Sequence, residues 1–449
     1  MASVSVDDHH EILINDGDDT ERIEGKQKQT FLQLLSKAIP TNFISRCWGN
    51  IGSTEIHPEL LRPLIYNVYG WMYSVNMQEI EKPLEEYSSI QDFFSRKLKP
   101  SARPSLSVQH KRKTLQKFDL DETEVNEAER DYLHAEMVSP VDGTVARFGT
   151  LCVELDELDE TYEHVFLPQV KGITYSMQEL LQKEKTTNTR SSQYFDHYQI
   201  PTSNNRGGYC KQTDDEIIVG DDFTEPIIDN VISQDDIAST PQSTKQKKKL
   251  HYCVLYLAPG DYHRFHSPCD MTIESRKHIY GKLYPVMPLY LNRYPNLFTQ
   301  NERVVLNGKW AYGNMHYVIV GALNVGSFVV NFDNSLRTNV KRPRKKKTQN
   351  PSTTIPQRSS EKVDTLDKKT KEEHIKDPEQ GEEIVVLSRN YVQGGLSIEK
   401  GEEMGYFKLG STIILIFESN EEDNLAFNIH KGQKVKLGDV ILVKKNKNH

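Results

Sequence analysis

The sequence predicts an α+β fold, with amphipathic helices near the N-terminus and a β-rich, barrel-sandwich-like core interrupted by two long polar inserts. Short segments rich in β-branched and aromatic residues, each bounded by Gly, Pro or Asn, recur through the second half of the chain, as strands do. Apolar residues with helical spacing are concentrated before residue 100. Only 36% of the 449 residues are hydrophobic and 27% are charged, so part of the chain is expected to lie outside a packed core.

The N-terminal part of the chain is first acidic and then helical. Residues 1–28 are predicted to be a disordered acidic N-terminus. Residues 29–100 are predicted to form amphipathic helices that either pack on the core or lie at a membrane surface. Two apolar helical faces carry this prediction: Phe31, Leu34, Leu35 and Ala38 on one, and Leu61, Leu64, Ile65, Val68 and Met72 on the other.

Residues 101–449 are predicted to form the β-rich domain. The predicted strands are 252–257, 304–306, 317–323, 327–332, 384–387, 412–417 and 440–443. Two polar stretches, at about 184–249 and 334–380, lack the periodic apolar residues of a core and are predicted to be disordered inserts. The second insert contains a basic run, 341–347, which could contact anionic lipid or act as a nuclear signal, although a solvated loop is favoured.

A serine near the C-terminus is the first candidate for chemistry. Ser411 follows Gly410 between a charged turn and an apolar strand, and it lacks the Gly-x-Ser-x-Gly elbow of a hydrolase. Glycine has no Cβ, so the Gly410 carbonyl is open to attack by the side chain that follows it. This arrangement suits an N→O acyl shift, although a plain turn before a buried strand is the other interpretation.

Two further motifs carry polar residues that packing explains poorly. Asp142 lies in Ser-Pro-Val-Asp-Gly-Thr, which by itself is most often a hairpin turn. His263 and His266 stand three residues apart in Asp-Tyr-His-Arg-Phe-His, directly after an apolar strand. A metal site is disfavoured because no Cys or Glu has a companion spacing, and the five cysteines show no disulfide pattern.

Together these segments resemble the pyruvoyl-dependent phosphatidylserine decarboxylases, of the bacterial and mitochondrial branch, from about residue 31 to 442. The resemblance implies a triad of Asp142, His266 and Ser411 that cleaves the chain between Gly410 and Ser411. It further implies that Ser411 becomes a covalent pyruvoyl cofactor, which forms a Schiff base with the substrate, and that His263 protonates the product carbanion. Phosphatidylserine would be converted to phosphatidylethanolamine and CO2, with no metal and no other cofactor.

The resemblance also implies partners and a location. The cleaved pieces 1–410 and 411–449 would form a heterodimer that acts on phosphatidylserine in membranes, with a possible homo-oligomer and no nucleic acid. The expected location is the mitochondrial inner membrane, with another peripheral membrane or endomembrane as the alternative, because residues 1–25 are acidic and unlike a transit peptide. No apolar run of about 18 residues suits a membrane span.

Two other function classes use the same residues. A serine hydrolase with Asp142, His266 and Ser411 would leave Gly410 and His263 unexplained. An inactive relative that only binds membranes is disfavoured because every residue needed for the chemistry is present.

Overall fold

The structure is a computed structural model of the full chain. It describes residues 41–115, 120, 122–155, 162, 165–168, 174–182, 246–286, 297–323, 327–340, 370–376, 383–408 and 412–445. The predictions for the acidic N-terminus and for the helical face at 31–38 lie outside the described residues.

Helices occupy the N-terminal part of the described chain and continue beyond it. They are α1 (Thr41–Ser53), α2 (Arg62–Tyr73), α3 (Ile90–Phe94), α4 (Pro104–Leu115), α5 (Glu127–His134), α6 (Met177–Leu181) and α7 (Leu297–Gln300). The helix predicted around residues 61–72 is confirmed as α2. Helices were predicted to be concentrated before residue 100, and α4 and α5 show that they also continue beyond it. Helix α4 has only Ser105 and Val108 buried, so it carries little apolar periodicity, and α5 begins at a capping box between Asn126 and Glu129.

The largest sheet has ten strands, and every described strand pair in it is antiparallel. Its order is β11-β12-β7-β8-β9-β15-β5-β2-β17, with β13 beside β7. These strands are β2 (Gly143–Leu155), β5 (Gln246–Tyr256), β7 (Met271–Ile279), β8 (Arg303–Trp310), β9 (Gly313–Val320), β11 (Lys371–Lys376), β12 (Glu383–Asn390), β13 (Leu396–Ile398), β15 (Thr412–Asn420) and β17 (Lys434–Val435).

Three smaller sheets complete the described strands. Their orders are β1-β18-β16, β10-β14-β6 and β3-β4. The strands are β1 (Met137–Val138), β3 (Phe166–Pro168), β4 (Thr174–Ser176), β6 (Arg264–His266), β10 (Phe328–Val330), β14 (Glu403–Phe407), β16 (Leu425–Phe427) and β18 (Val440–Lys444). The α+β, β-rich class is therefore confirmed, and the described strands form open sheets, not a closed barrel.

Strand β15 separates the two large hydrophobic cores. Ile413, Leu415 and Phe417 belong to one buried cluster, whereas Ile414 and Ile416 belong to the other. Alternate residues of a strand point to opposite faces, so a strand covered on both faces must be apolar at every position. This explains the uninterrupted apolar run directly after the candidate serine.

The described structure extends into both predicted inserts. Strand β5 pairs with β2 from Gln246 to Tyr256, so its first four residues, Gln246–Lys249, lie inside the predicted insert 184–249. In the second insert, Leu336 is buried in the core and β11 pairs with β12. Backbone pairing extends a polar segment such as Gln246–Lys249 as a strand although its side chains alone do not predict one. Residues 183–245 and 341–369 lie outside the described residues.

One row across the large sheet brings the three candidate motifs to the same end. Thr144 of β2 pairs with Tyr256 of β5, which pairs with Thr412 of β15, which in turn pairs with Val320 of β9. Neighbouring strands lie about 4.8 Å apart, so Thr144 and Thr412, two strands apart, are separated by about 10 Å. Asp142 precedes this row, Ser411 immediately precedes Thr412, and the histidine loop follows Tyr256.

Candidate active site

The candidate cleavage position lies between two anchored segments. Gly410 and Ser411 themselves fall outside the described residues, as does Leu409. On one side, the Lys408 backbone N–H donates to the Ser327 carbonyl at 3.0 Å. On the other, Thr412 is fully buried between β5 and β9. Both flanks are therefore held in the sheets at the end where Asp142 and the histidine loop meet.

Backbone hydrogen bonds hold the histidine loop in place. The His266 N–H donates to the Pro140 carbonyl at 2.9 Å, which ties strand β6 to the turn that carries Asp142. The Phe407 N–H donates to the His263 carbonyl at 2.8 Å. Phe407 ends β14, three residues before Gly410. These contacts join the Asp142 turn, the histidine loop and the end of β14.

His266 is buried, and both of its ring nitrogens have partners. Nδ1 lies 2.8 Å from the Gly401 carbonyl oxygen, and Nε2 lies 3.2 Å from the Tyr262 hydroxyl. A carbonyl can only accept, so Nδ1 carries the proton and Nε2 accepts one from Tyr262. Burial lowers the pKa of His266, although the Gly401 carbonyl and the charges of Glu403 and Asp142 act in the opposite direction. The ring is neutral near pH 7, and its base nitrogen is Nε2.

Tyr262 is a site residue that the sequence reasoning missed. Its side chain is buried beside Leu98 and Leu437. Burial raises the pKa of Tyr262, so the hydroxyl keeps its proton and remains a donor to His266. The available signal was its position between Asp261 and His263 in the loop motif, but an aromatic residue there is equally typical of core packing.

Among the described contacts, the Asp142 carboxylate makes hydrogen bonds to other groups and none to His266. Arg103 donates from Nε to one carboxylate oxygen at 2.9 Å and from Nη2 to the other, and the Leu437 N–H donates at 2.8 Å. Arg103 also contacts Glu79, with Nη2 2.9 Å from the carboxylate. Burial lowers the pKa of His266, and the charge of Asp142 acts on that imidazole in the opposite direction without a hydrogen bond between them.

His263 is fully buried, and its imidazole ring makes one described hydrogen bond. Nδ1 donates to the Asp261 carbonyl at 2.8 Å, and the ring packs on Phe94 with centroids 3.9 Å apart. Within the described part of the chain, Nε2 has no hydrogen-bond partner. Burial, and next the positive charge of Arg96, lower the pKa of His263 to about 3. His263 is thus neutral in this structure, with an unpaired buried nitrogen.

Comparison with known proteins gives the family of the chain. The family model for phosphatidylserine decarboxylase matches residues 211–443. The mitochondrial phosphatidylserine decarboxylase proenzyme 1 of Candida albicans is 32% identical over 94% of this chain and 72% of its own length.

The chain belongs to the phosphatidylserine decarboxylase family. Other similar proteins are the mitochondrial proenzyme of Cricetulus griseus, 31% identical over 91% of this chain and 73% of its own, and proenzyme 1 of Arabidopsis thaliana, 32% identical over 92% and 74%. The family consists of carboxy-lyases that convert phosphatidylserine to phosphatidylethanolamine in phospholipid biosynthesis.

Two further observations concern metal ligands and membrane-spanning helices. In the residues that the structure covers, no group of three or more His, Cys, Asp and Glu is placed to hold a metal ion. None of the described helices is both long and apolar enough to cross a bilayer.

Proposed function

We propose that this decarboxylase cleaves itself between Gly410 and Ser411 and then acts on phosphatidylserine through a pyruvoyl group made from Ser411. The observation that carries the proposal is the meeting of three distant motifs at one end of the sheet. There, neutral His266, the charged Asp142 and the strand that starts directly after Ser411 come together.

In the first step, His266 acts as the base. Its Nε2 takes the hydroxyl proton of Ser411 while the serine oxygen attacks the Gly410 carbonyl carbon. The imidazolium then returns that proton to the nitrogen of residue 411 as the C–N bond breaks, which gives an ester and a free amine. The Tyr262 hydroxyl now on Nε2 must give way to the serine hydroxyl for this transfer. Because Nδ1–H donates to the Gly401 carbonyl, the lone pair of the neutral ring lies on Nε2, where the proton is taken up.

Asp142 supports this step at a distance. When His266 becomes an imidazolium, the nearby negative charge favours the charged form. Arg103 and the Leu437 N–H hold the carboxylate in position, which fixes the distance at which the charge acts. The role is electrostatic, unlike the tautomer-fixing hydrogen bond of a hydrolase triad.

The second stage removes the ester. A base takes the α-proton of residue 411, the carboxylate of Gly410 leaves, and the resulting enamine tautomerises to an imine. Water then adds to the imine and ammonia leaves, so that a ketone remains at the new N-terminus. The two pieces together gain one water and lose one ammonia relative to the uncut chain.

After cleavage the small piece would remain bound. Within 411–449, β15 is paired on both sides by β5 and β9, β17 is paired with β2, and β18 is paired with β1. All four partner strands lie in the large piece, 1–410. The two pieces would therefore form a heterodimer through shared sheets, without any bond between them; a homo-oligomer remains a prediction.

The residues around His263 suit a pyruvoyl cofactor, because a buried unpaired nitrogen beside the cleavage segment can exchange a proton with substrate held there. When bound to the substrate amine, the pyruvoyl group would accept the electron pair that is left on the substrate carbon as carbon dioxide leaves. His263 would deliver a proton from Nε2 to the substrate carbon that lost the carboxylate. Since its pKa is low in this structure, it must first gain a proton, which an anionic substrate nearby would favour.

Access to a lipid is supported by an exposed apolar face on α2. Leu64, Val68, Trp71 and Met72 share one side of the helix and are between 49% and 84% exposed. From a neighbouring position on α2, the Tyr69 hydroxyl donates to the Pro259 carbonyl at 2.8 Å, directly before the histidine loop. We infer that this face rests on the membrane and brings the loop to the phospholipid. The relatives named as mitochondrial support a mitochondrial location, and we propose the inner membrane within it.

A pair of variants tests the division of labour. His266→Ala is expected to remain one chain, because the base is gone. His263→Ala is expected to be cleaved and yet to decarboxylate dispersed phosphatidylserine roughly 10²–10⁴-fold more slowly, the usual cost of losing a positioned acid or base. Electrophoresis under denaturing conditions reports cleavage, and released CO2 reports turnover. Equal cleavage defects in both variants would show that the roles are not divided in this way.

A further inference from the structure

Arg96 has more hydrogen-bond donors than the described structure satisfies. It follows α3 and is only 3% exposed. Its Nη2 donates to the Gly260 carbonyl at 2.7 Å and to the Asp261 carbonyl at 3.1 Å. Nε and Nη1 are buried, and neither has a hydrogen-bond partner among the residues that the structure describes. A guanidinium has five N–H groups, so three of them point at nothing that can accept.

The charge of Arg96 is also uncompensated at short range. Among the described ion pairs, Arg103 and Arg276 contact buried Asp142 and Asp333, whereas Arg96 has no carboxylate within ion-pair distance. Arg303 is also buried, and all three of its guanidinium nitrogens donate hydrogen bonds to backbone carbonyls. A buried charged donor without an acceptor is costly, so the position of Arg96 calls for a further partner.

His263 shares this deficiency and lies beside Arg96. Its Nδ1 donates to the same Asp261 carbonyl oxygen that accepts from Arg96 Nη2. Its Nε2 is buried and unpaired. Arg96 and His263 are thus joined through one carbonyl, and in the described part of the chain both have buried nitrogens without a hydrogen-bond partner, beside the positive charge of Arg96 itself. An anionic oxygen can accept from the free donors of Arg96, and it can accept from His263 once Nε2 has taken up a proton, which the negative charge favours.

We propose that Arg96 and the Nε2 edge of His263 form a subsite that binds an anionic oxygen of the phospholipid headgroup. This inference rests on the proposed function, because it places the substrate next to the pyruvoyl-forming segment. The phosphatidylserine headgroup offers two such groups, a carboxylate and a phosphodiester. Either one would pair with the guanidinium and would favour a proton on Nε2, which supplies the donor form of His263 that turnover needs.

The burial of the subsite has a consequence for binding. Neither unpaired nitrogen of Arg96 reaches bulk water, so a wall of the subsite must move before the headgroup enters. Phe93, whose ring lies 5.5 Å from the guanidinium carbon, and Phe94, which packs on His263, belong to short helix α3 and form part of that wall. An anion bound there is desolvated, so its hydrogen bonds to Arg96 are stronger than at an exposed site.

Arg96→Gln tests the subsite, with Arg62→Gln as the matched control. Glutamine can still donate to the loop carbonyls but carries no charge. Arg62 is also buried and donates to the Ile56 and Glu85 carbonyls, but it has a carboxylate partner in Glu59. The cleaved enzymes are compared by inhibition of decarboxylation with glycerophosphoserine, glycerophosphoethanolamine and free serine. These compounds carry both anions, the phosphodiester alone and the carboxylate alone.

The expected result is that Arg96→Gln is cleaved and that its inhibition constant for glycerophosphoserine rises about 10- to 100-fold, the range for losing a hydrogen bond to a charged group. The control should keep the wild-type constant. A parallel loss for glycerophosphoethanolamine identifies the phosphodiester as the bound group, whereas a loss confined to glycerophosphoserine and serine identifies the carboxylate.

Two results would overturn the subsite. One is a cleaved, active Arg96→Gln enzyme with unaltered inhibition constants, which leaves the proposed function intact. The other is blocked self-cleavage with wild-type constants in the cleaved fraction, which would assign Arg96 to the precursor. If Arg96→Gln does not fold, Arg96→Lys keeps the charge but loses the fork of donors, and wild-type constants there would equally contradict the proposal. Failure of the cleaved wild-type enzyme to decarboxylate would instead count against the proposed function.

Discussion

The ion pair between Arg103 and Asp142 gives the sharpest energetic prediction. Arg103 makes two hydrogen bonds to Asp142 and one to Glu79, and its side chain is only 3% exposed. Arg103→Gln would leave Asp142 with the Leu437 N–H as its one remaining hydrogen-bond partner among the described residues. Breaking a buried ion pair from one side costs about 3–5 kcal/mol, because a charge is left buried without its partner. We expect a loss of that size in the free energy of unfolding.

The companion variant Asp142→Asn removes the charge from the other side. In the double variant Arg103→Gln/Asp142→Asn, neither an unpaired carboxylate nor an unpaired guanidinium remains. The double variant should therefore be more stable than the sum of the two single losses predicts, by at least about 1 kcal/mol of coupling for residues in direct contact. Urea unfolding of all variants in a Ser411→Ala background measures these values on a uniform, uncut chain.

Lys309→Gln is the control for an exposed ion pair. Lys309 lies 3.7 Å from Glu274, and the two side chains are 64% and 52% exposed, so the loss should stay below about 1 kcal/mol. If Arg103→Gln loses no more than this control, or if the two single losses simply add, the argument that Arg103 holds the Asp142 carboxylate is wrong.

Three further predictions concern the base, the membrane and the inserts. Tyr262→Phe removes a donor that favours neutral His266, so the pKa of His266 should rise. The acid limb of the pH–rate profile of self-cleavage should then move up by less than about one pH unit, and the rate should recover at higher pH. An equal rate loss at every pH would contradict this. Leu64→Ser with Trp71→Ser should weaken vesicle sedimentation and turnover on vesicles, while turnover of detergent-dispersed substrate stays; equal losses in both assays would exclude a membrane role for this face. Replacing 341–369 by a short Gly/Ser linker should preserve self-cleavage, because loop closure changes by only about 0.6 kcal/mol per doubling of length; an uncut, folded product would show that the segment is part of the core.

Much of the β-rich core could be predicted because its signal is local. The run from Ile413 to Phe417 is apolar at every position, and the structure buries it on both faces of the sheet. Helix α4 could not be predicted in this way, since most of its residues are polar and few are buried. The first residues of β5 and the whole of β11 were missed for a related reason. Each is a strand because it pairs with a neighbouring strand, and the sequence does not show that neighbour.

The site residues show the same division. Asp142, His263 and His266 stand in dense polar motifs, which the sequence shows directly. Their hydrogen-bond partners could not be predicted, because Gly401 is a backbone carbonyl 135 residues from His266 and Leu437 is a backbone N–H 295 residues from Asp142. Backbone groups exist at almost every residue, so only the fold determines which of them reaches a side chain.

The central claim is that the chain cleaves itself at Gly410–Ser411 and converts Ser411 to a pyruvoyl group. The intact mass of the purified protein under denaturing conditions tests this most directly. The account predicts two species, 1–410 with a free carboxylate and 411–449 lighter by one ammonia than the fragment that simple hydrolysis would give. It also predicts one uncut species for Ser411→Ala. A folded wild-type preparation that shows only the uncut chain, or a small piece with an intact N-terminal serine, would contradict it.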